Sequence, residues 1–197
     1  DHGVGERSPR VERSVREFAT TLNALAQTTG ARVVVDSSKS PAYGRLLESA
    51  PGIELYVLHV VRDPRGTAWS WQKATDLNWG PYALSVIWDF WNPMIELLWS
   101  RSPRYMRLRY EDFARSPREA VRRIFELLGE DAPSLPFRED GSVDLGVTHS
   151  IAGNPRRVRR GVIPIRVDDE WKRRPEFRGR RAVGLLTLPM RVRYGHR

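Results

Sequence analysis

Residues Leu55 to Trp71 read LYVLHVVRDPRGTAWSW, and no other stretch restricts the fold as much. The first seven are almost uninterrupted β-branched, aromatic or aliphatic residues, the pattern of a short strand buried on both faces, as in a central parallel sheet. The run stops at Arg62-Asp63-Pro64, and helical spacing follows at once. Asp63 suits a helix N-cap, and Pro64 suits the first helical position, where a missing N–H costs nothing. The C-terminal end of a buried parallel strand is where open α/β sheets place their ligands. Arg62 stands there with a planar fork that matches a phosphate. Ser70, about two turns into the helix, adds a hydroxyl donor. The plain alternative is a surface Arg62–Asp63 ion pair with Ser70 as a solvated helix residue.

The same strand, polar turn and helix are expected once more upstream. Ser8-Pro9 opens a helix with Val11, Val15, Phe18, Leu22, Leu25 and Ala26 at three-to-four spacing, stopped by Gly30. Val33-Val34-Val35 then reads as a buried strand, followed by Asp36-Ser37-Ser38-Lys39-Ser40-Pro41, with Pro41 starting a helix. Asp36 reads best as a turn residue bonded to its own backbone. Downstream, residues 82–99 carry Trp88, Trp91, Ile95 and Leu98 on one helical face, with Pro93 predicting a kink or break near Trp91. Tyr105 to Tyr110 alternates like a strand, and Ser116-Pro117-Arg118-Glu119 forms a capping-box pattern for a helix ended by Gly129. Residues 130–148 are turn-rich and weakly patterned. Gly153-Asn154-Pro155 then leads into Arg156-Arg157-Val158-Arg159-Arg160-Gly161, arginines in a loop where several guanidiniums can converge on an anion. The tail from Val183 to Tyr194, with Pro189 interrupting it, is expected to pack across the domain.

These elements argue for an α/β domain in which a central parallel sheet is flanked by helices, and 197 residues with 40% hydrophobic content suit one core. Zero cysteines give no support for disulfides or thiolate metal sites. No apolar run approaches a bilayer span. The polar N-terminus does not resemble a signal peptide, so a cytoplasmic location is expected. The net charge is +9, and only Lys39, Lys73 and Lys172 among the 33 basic residues are lysines. A basic surface favours anionic partners, although GC-rich codon usage explains an arginine bias equally well.

The pattern R-D-P-R-x-x-x-x-S after a buried strand resembles the 3′-phosphate-binding motif of sulfotransferases that use 3′-phosphoadenosine 5′-phosphosulfate (PAPS). Two more stretches share the resemblance in the family's order: R-Y-E-D-F, S-P, helix and L-L-G across residues 109–129, and Arg159-Arg160-Gly161 with Asp169 and Trp171 downstream. The resemblance implies a three-layer sandwich of the P-loop NTPase-like sulfotransferase fold. It implies that Arg62, Ser70, Arg159, Arg160 and Gly161 hold the 3′-phosphate and that Tyr110 contacts adenine, with Glu111-Asp112 structural. Lys39 would reach the transferring sulfuryl group, where charge builds on the bridging oxygen as the S–O bond breaks. For Lys39 the alternative is a solvated loop lysine, and for Tyr110 a core tyrosine. Trp69 and Trp71 either cover the nucleotide or pack. Arg160 stands where the family often has lysine; it keeps the charge and adds a fork.

No G-x-x-x-x-G-K-[ST] or G-x-x-[RK]-[ST]-G-[ST] occurs in the chain. It is therefore expected to be an N-terminally truncated, single sulfotransferase-like domain that lacks its first strand and phosphosulfate loop, and to transfer poorly alone. The reaction implied is attack of an acceptor hydroxyl or amine on the sulfur of PAPS, releasing 3′-phosphoadenosine 5′-phosphate (PAP), with no metal. The acceptor class (small molecule, glycan, lipid or peptide) and the general base stay open, with His149, Glu6 and Glu12 as weak candidates for the base. Two other classes are a non-catalytic PAP(S)-binding module and, last, an Arg-rich nucleic-acid-binding protein.

Overall fold

The computed structural model describes residues 8–74, 80–132, 134–146, 160–174, 176–177 and 179–196. Its contacts divide into two compact units, residues 1–56 and 57–197. The fold is mixed α/β.

In the first unit, helix α1 (Pro9–Thr29) ends where expected, at Gly30 in the left-handed conformation (φ 66°) that glycine adopts without a Cβ penalty. Helix α2 (Pro41–Leu47) starts at Pro41, and the Ser40 hydroxyl caps it by accepting the Tyr43 N–H at 3.3 Å. Val15, Ala19 and Ala50 form the core between them, with Val11, Leu46 and Ile53 packed around it. The strand expected at Val33–Val35 does not form: these residues are irregular, and Val35 is 87% exposed. β-branched residues favour extended backbone, but a strand needs a pairing partner, and none lies beside them among the described residues.

The second unit is built on a parallel pair, β1 (Val57–Val61) and β2 (Tyr105–Arg109), in the register Val57↔Tyr105 to Val61↔Arg109. Burial of β1 on both faces is not observed. His59 and Val61 point into the core, while Leu58 and Val60 lie outward, 39% and 49% exposed. Helix α3 (Pro64–Ala74) follows β1, and α4 (Pro81–Trp99) covers its buried face, with Trp88 packed on Val61 and Tyr194. Of the kink or break expected near Trp91 from Pro93, the break does not occur. Helix α4 runs through Pro93, and the Asn92 amide donates to the Trp88 carbonyl at 2.8 Å in the turn where proline supplies no N–H. The buried face is Leu84, Ser85, Trp88 and Trp99; Trp91, expected inside, is exposed.

Helices α5 (Tyr110–Arg115) and α6 (Pro117–Leu128) follow β2, and α6 stops at Gly129 as expected. The capping box at Ser116 is not made, because the Ser116 backbone (φ −135°, ψ 64°) closes α5 as well as opening α6 and its side chain caps neither. Residues 130–146 include β3 (Ser142–Leu145), which pairs antiparallel with β4 (Gly161–Pro164). A 3₁₀ turn (Glu170–Arg173) and helices α7 (Arg180–Leu186) and α8 (Leu188–Arg193) complete the chain. The tail does pack, but through Val183, Thr187, Tyr194 and His196, while Leu185, Leu186, Leu188 and Val192 stay exposed. A second core joins α3 to this region: Ala68, Trp69, Leu84, Trp171, Phe177 and Val183. No helix of the described residues is long and apolar enough to cross a membrane.

Candidate functional site

Parallel pairing puts the C-terminal ends of β1 and β2 side by side. With Val61 opposite Arg109, the next residues, Arg62 and Tyr110, meet beyond the strand ends. The Arg62 guanidinium lies 4.7 Å from the centroid of the Tyr110 ring, a cation–π contact. The Arg62 side chain is only 18% exposed, and its Nη2 donates to the Asp168 carboxylate at 2.9 Å and, at 3.4 Å, to the Asp168 carbonyl. The Tyr110 hydroxyl in turn accepts the Asp168 N–H at 3.4 Å. On the opposite side the Trp88 indole donates to the Arg62 carbonyl at 3.1 Å, tying the residue to α4.

Asp63 caps α3 as its position suggests. One carboxylate oxygen accepts the Arg65 N–H at 2.9 Å, and the Asp63 carbonyl accepts the Thr67 N–H at 2.9 Å. Asp63 is not the partner of Arg62. Arg65 grips it with Nε at 2.9 Å and Nη2 at 2.6 Å. Burial works to raise the Asp63 pKa, but the Arg65 hydrogen bonds and charge outweigh it and hold the carboxyl below its ordinary value. Glu111 is structural too, accepting the Asp63 N–H at 3.0 Å and so linking the start of α5 to the β1–α3 junction. Its other oxygen lies 3.4 Å from Nδ1 of the buried His196, whose pKa burial lowers. Asp112 pairs at the surface with Arg115.

Ser70 lies on α3, half-buried, and its hydroxyl makes no hydrogen bond to another described residue. Between Arg62 and Ser70 on that helix, Gly66 lies against the Trp171 indole so closely that a Cβ would come within 2.9 Å of Nε1. Trp171 thus belongs to the core beneath the site, with the Arg65 guanidinium 4.7 Å above its ring. Trp69 is core as well, packed on Phe177. The aspartate that reaches Arg62 is Asp168, and Asp169, the aspartate noted downstream of the basic loop, pairs with Arg173 at 3.0 Å. Arg160 is exposed at the start of β4, and Gly161 takes the left-handed φ of 85°. Arg159, His149 and Glu6 lie outside the described residues.

Lys39 belongs to the first unit and carries an unusual backbone. Its φ of 64° is the only positive value at a non-glycine among the described residues. The left-handed region costs a side-chain-bearing residue roughly 1–2 kcal/mol. Neighbouring bonds impose it: Asp36 accepts the Ser38 N–H at 2.7 Å in an Asx turn, and Ser40 caps α2. Asp36 is thereby a turn residue, as its sequence context suggests.

Two buried histidines fall outside the sequence motifs. His59, inside β1, has Nδ1 2.9 Å from the Tyr105 hydroxyl and Nε2 2.9 Å from the Asn92 side-chain oxygen. The Asn92 amide already donates to Trp88, so its oxygen accepts from Nε2–H, which leaves Nδ1 to accept from Tyr105 in a neutral ring. A histidine inside an apolar strand is the signal for it; His196 carries none.

Against known proteins, this chain is similar to a sulfotransferase. One relative is Carbohydrate sulfotransferase 1 of Danio rerio, 35% identical over 144 residues, with 58% of this chain and 33% of that protein covered. The chain therefore spans about a third of the length of this curated relative. The similarity supports a relationship to sulfotransferases. No family model and no solved structure matches the chain.

Proposed function

We propose that this chain carries the 3′-phosphate half of a PAPS site and that its protein transfers the sulfuryl group from PAPS to an acceptor hydroxyl or amine. The observation that carries this reading is Arg62 beside Tyr110 at the paired C-terminal ends of β1 and β2, with Ser70 on the helix that follows. A half-buried, fully charged fork next to an aromatic face has the chemistry to bind a phosphate and stack a base. The similarity to a carbohydrate sulfotransferase supports the reaction class and makes a sugar hydroxyl or amine the first acceptor to try.

In this reading Arg62 and Ser70 bind the 3′-phosphate with help from the loop of Arg159, Arg160 and Gly161, and Tyr110 positions the adenine. Lys39 supplies the cation at the leaving oxygen, its strained backbone being the kind of cost that functional positions carry. The fold proposed with this reading is the three-layer α/β sandwich around a central parallel sheet, of which β1 and β2 are the described parallel pair. Among the described residues no group of side chains could hold a metal ion, and the proposal uses none.

The test is calorimetric titration of the 197-residue chain with PAP, beside Arg62→Ala and with ATP as a competitor. Micromolar binding that is lost in the variant and not matched by ATP is the expected result. A folded chain that ignores PAP but binds duplex DNA in a salt-sensitive manner would overturn the reading.

A further inference from the structure

We propose that Asp168 is an internal competitor at the phosphate site: its carboxylate occupies the Arg62 guanidinium and has to swing away when a nucleotide 3′-phosphate binds. The inference rests on the reading of Arg62 as a phosphate ligand.

Arg62 is hemmed in on two sides. The Tyr110 ring covers one face at 4.7 Å, and at the Gly66 side a Cβ would already stand 3.2 Å from Nε. Asp168 is the more open partner, its side chain 39% exposed against 18% for Arg62, so an anion reaches the fork from the side that Asp168 holds. The hold is also light. Of the carboxylate only Oδ2 bonds Nη2, and the other tethers of Asp168, from Nη2 to its carbonyl, from Glu170 N–H to Oδ1 and from its own N–H to the Tyr110 hydroxyl, are all 3.4 Å long.

The neighbouring pair shows what a permanent one looks like. Asp63 and Arg65 are bonded twice through side chains and once through backbone, at 10% and 18% side-chain exposure. One junction thus holds two acid–arginine pairs, one locked and one exchangeable. A phosphate brings more charge and more acceptor oxygens to the fork than a carboxylate does. With the phosphate in place, a carboxylate left within a few ångströms repels it, so Asp168 lowers affinity whether it leaves the fork or shares it.

The experiment titrates the 197-residue chain and its Asp168→Asn, Asp168→Ala and Arg62→Ala variants with PAP and with 5′-AMP, which lacks the 3′-phosphate, after circular dichroism has matched their folds. Asn keeps the shape and an acceptor for Arg62 while removing the charge. Both Asp168 variants are expected to bind PAP roughly three- to tenfold more tightly, the range set by a half-exposed charge pair, with 5′-AMP affinity unchanged. PAP binding weaker than the unsubstituted chain's in Asp168→Ala, or no gain in either variant, would make Asp168 a positioning group for Arg62 and overturn the proposal. An unchanged PAP affinity in Arg62→Ala would instead remove the phosphate reading itself, and this inference with it.

Discussion

Replacing Gly66 by alanine sets helix propensity against packing at the point where the candidate site rests on the core. In an open helix position the change stabilises by about 1 kcal/mol, since glycine has more backbone freedom to lose. Here the new Cβ would meet Trp171 Nε1 at 2.9 Å, Trp171 Cδ1 at 3.2 Å and Arg62 Nε at 3.2 Å. Trp171 is buried among Trp69, Leu84, Phe177 and Val183 and has nowhere to retreat without moving them. Overpacking of this kind costs about 1–3 kcal/mol, so the net expectation runs from about zero to 2 kcal/mol of destabilisation. Gly184 on α7 is the control, because a Cβ there would meet Arg65 Cδ at an ordinary 3.4 Å and helix propensity should win. Urea unfolding followed by tryptophan emission measures both. The Arg62 contact adds a second readout: a shifted guanidinium that loses one charged hydrogen bond, worth about 1.5 kcal/mol, weakens PAP roughly tenfold, and Gly184→Ala does not. A Gly66→Ala protein that is more stable by about 1 kcal/mol and binds PAP normally would refute the account of Gly66 as the spacer between Arg62 and Trp171.

The remaining predictions concern pH and the lysine loop. His59 and His196 are both buried with lowered pKa values, burial being the first cause in each, so below about pH 6.5 the unfolded chain binds protons that the folded chain refuses. Stability should be full above that value and fall as pH drops, by at most about 1.4 kcal/mol per pH unit for each histidine. His59→Gln should make the fall shallower in denaturant titrations at pH 7, 6 and 5, and an unchanged slope would refute neutral burial of His59. Lys39→Gly removes the positive-φ cost, so it should be at least as stable as Lys39→Ala, while both should lose the sulfuryl transfer proposed for the longer protein. Thermal unfolding and a labelled-PAPS assay separate the two effects, and a glycine variant clearly less stable than the alanine one would contradict the strained loop.

What can be read from the chain alone is what neighbouring residues settle among themselves. The β1–α3 junction is of this kind: Asp63 caps, Pro64 fits the first turn, and both act within a few residues. The stops at Gly30 and Gly129 are equally local. Val33–Val35 and the Ser116 box have equally good local patterns and fail, one because a strand needs a partner and the other because two helices share one residue. On α4 the apolar periodicity is real, but Trp91 and Trp88 are nearly equivalent by sequence, and only the position of Val61 and Tyr194 decides which is buried. The site shows the same division most sharply. That Arg62 follows a strand is legible; that it meets Tyr110 depends on the register of two strands far apart in the chain. The aspartate that answers it, Asp168, is one that no sequence pattern singles out, beside the Asp169 of the Asp169–Trp171 pattern. Adjacent side chains in non-helical backbone point to different sides, so Asp168 reaches Arg62 while Asp169 turns to Arg173. Composition and charge are identical for the two positions, and only the path of the chain from β4 separates them. The chemistry proposed for Asp168 therefore depends on a tertiary fact, whereas the phosphate-binding role proposed for Arg62 is suggested by the strand, the turn and the helix alone.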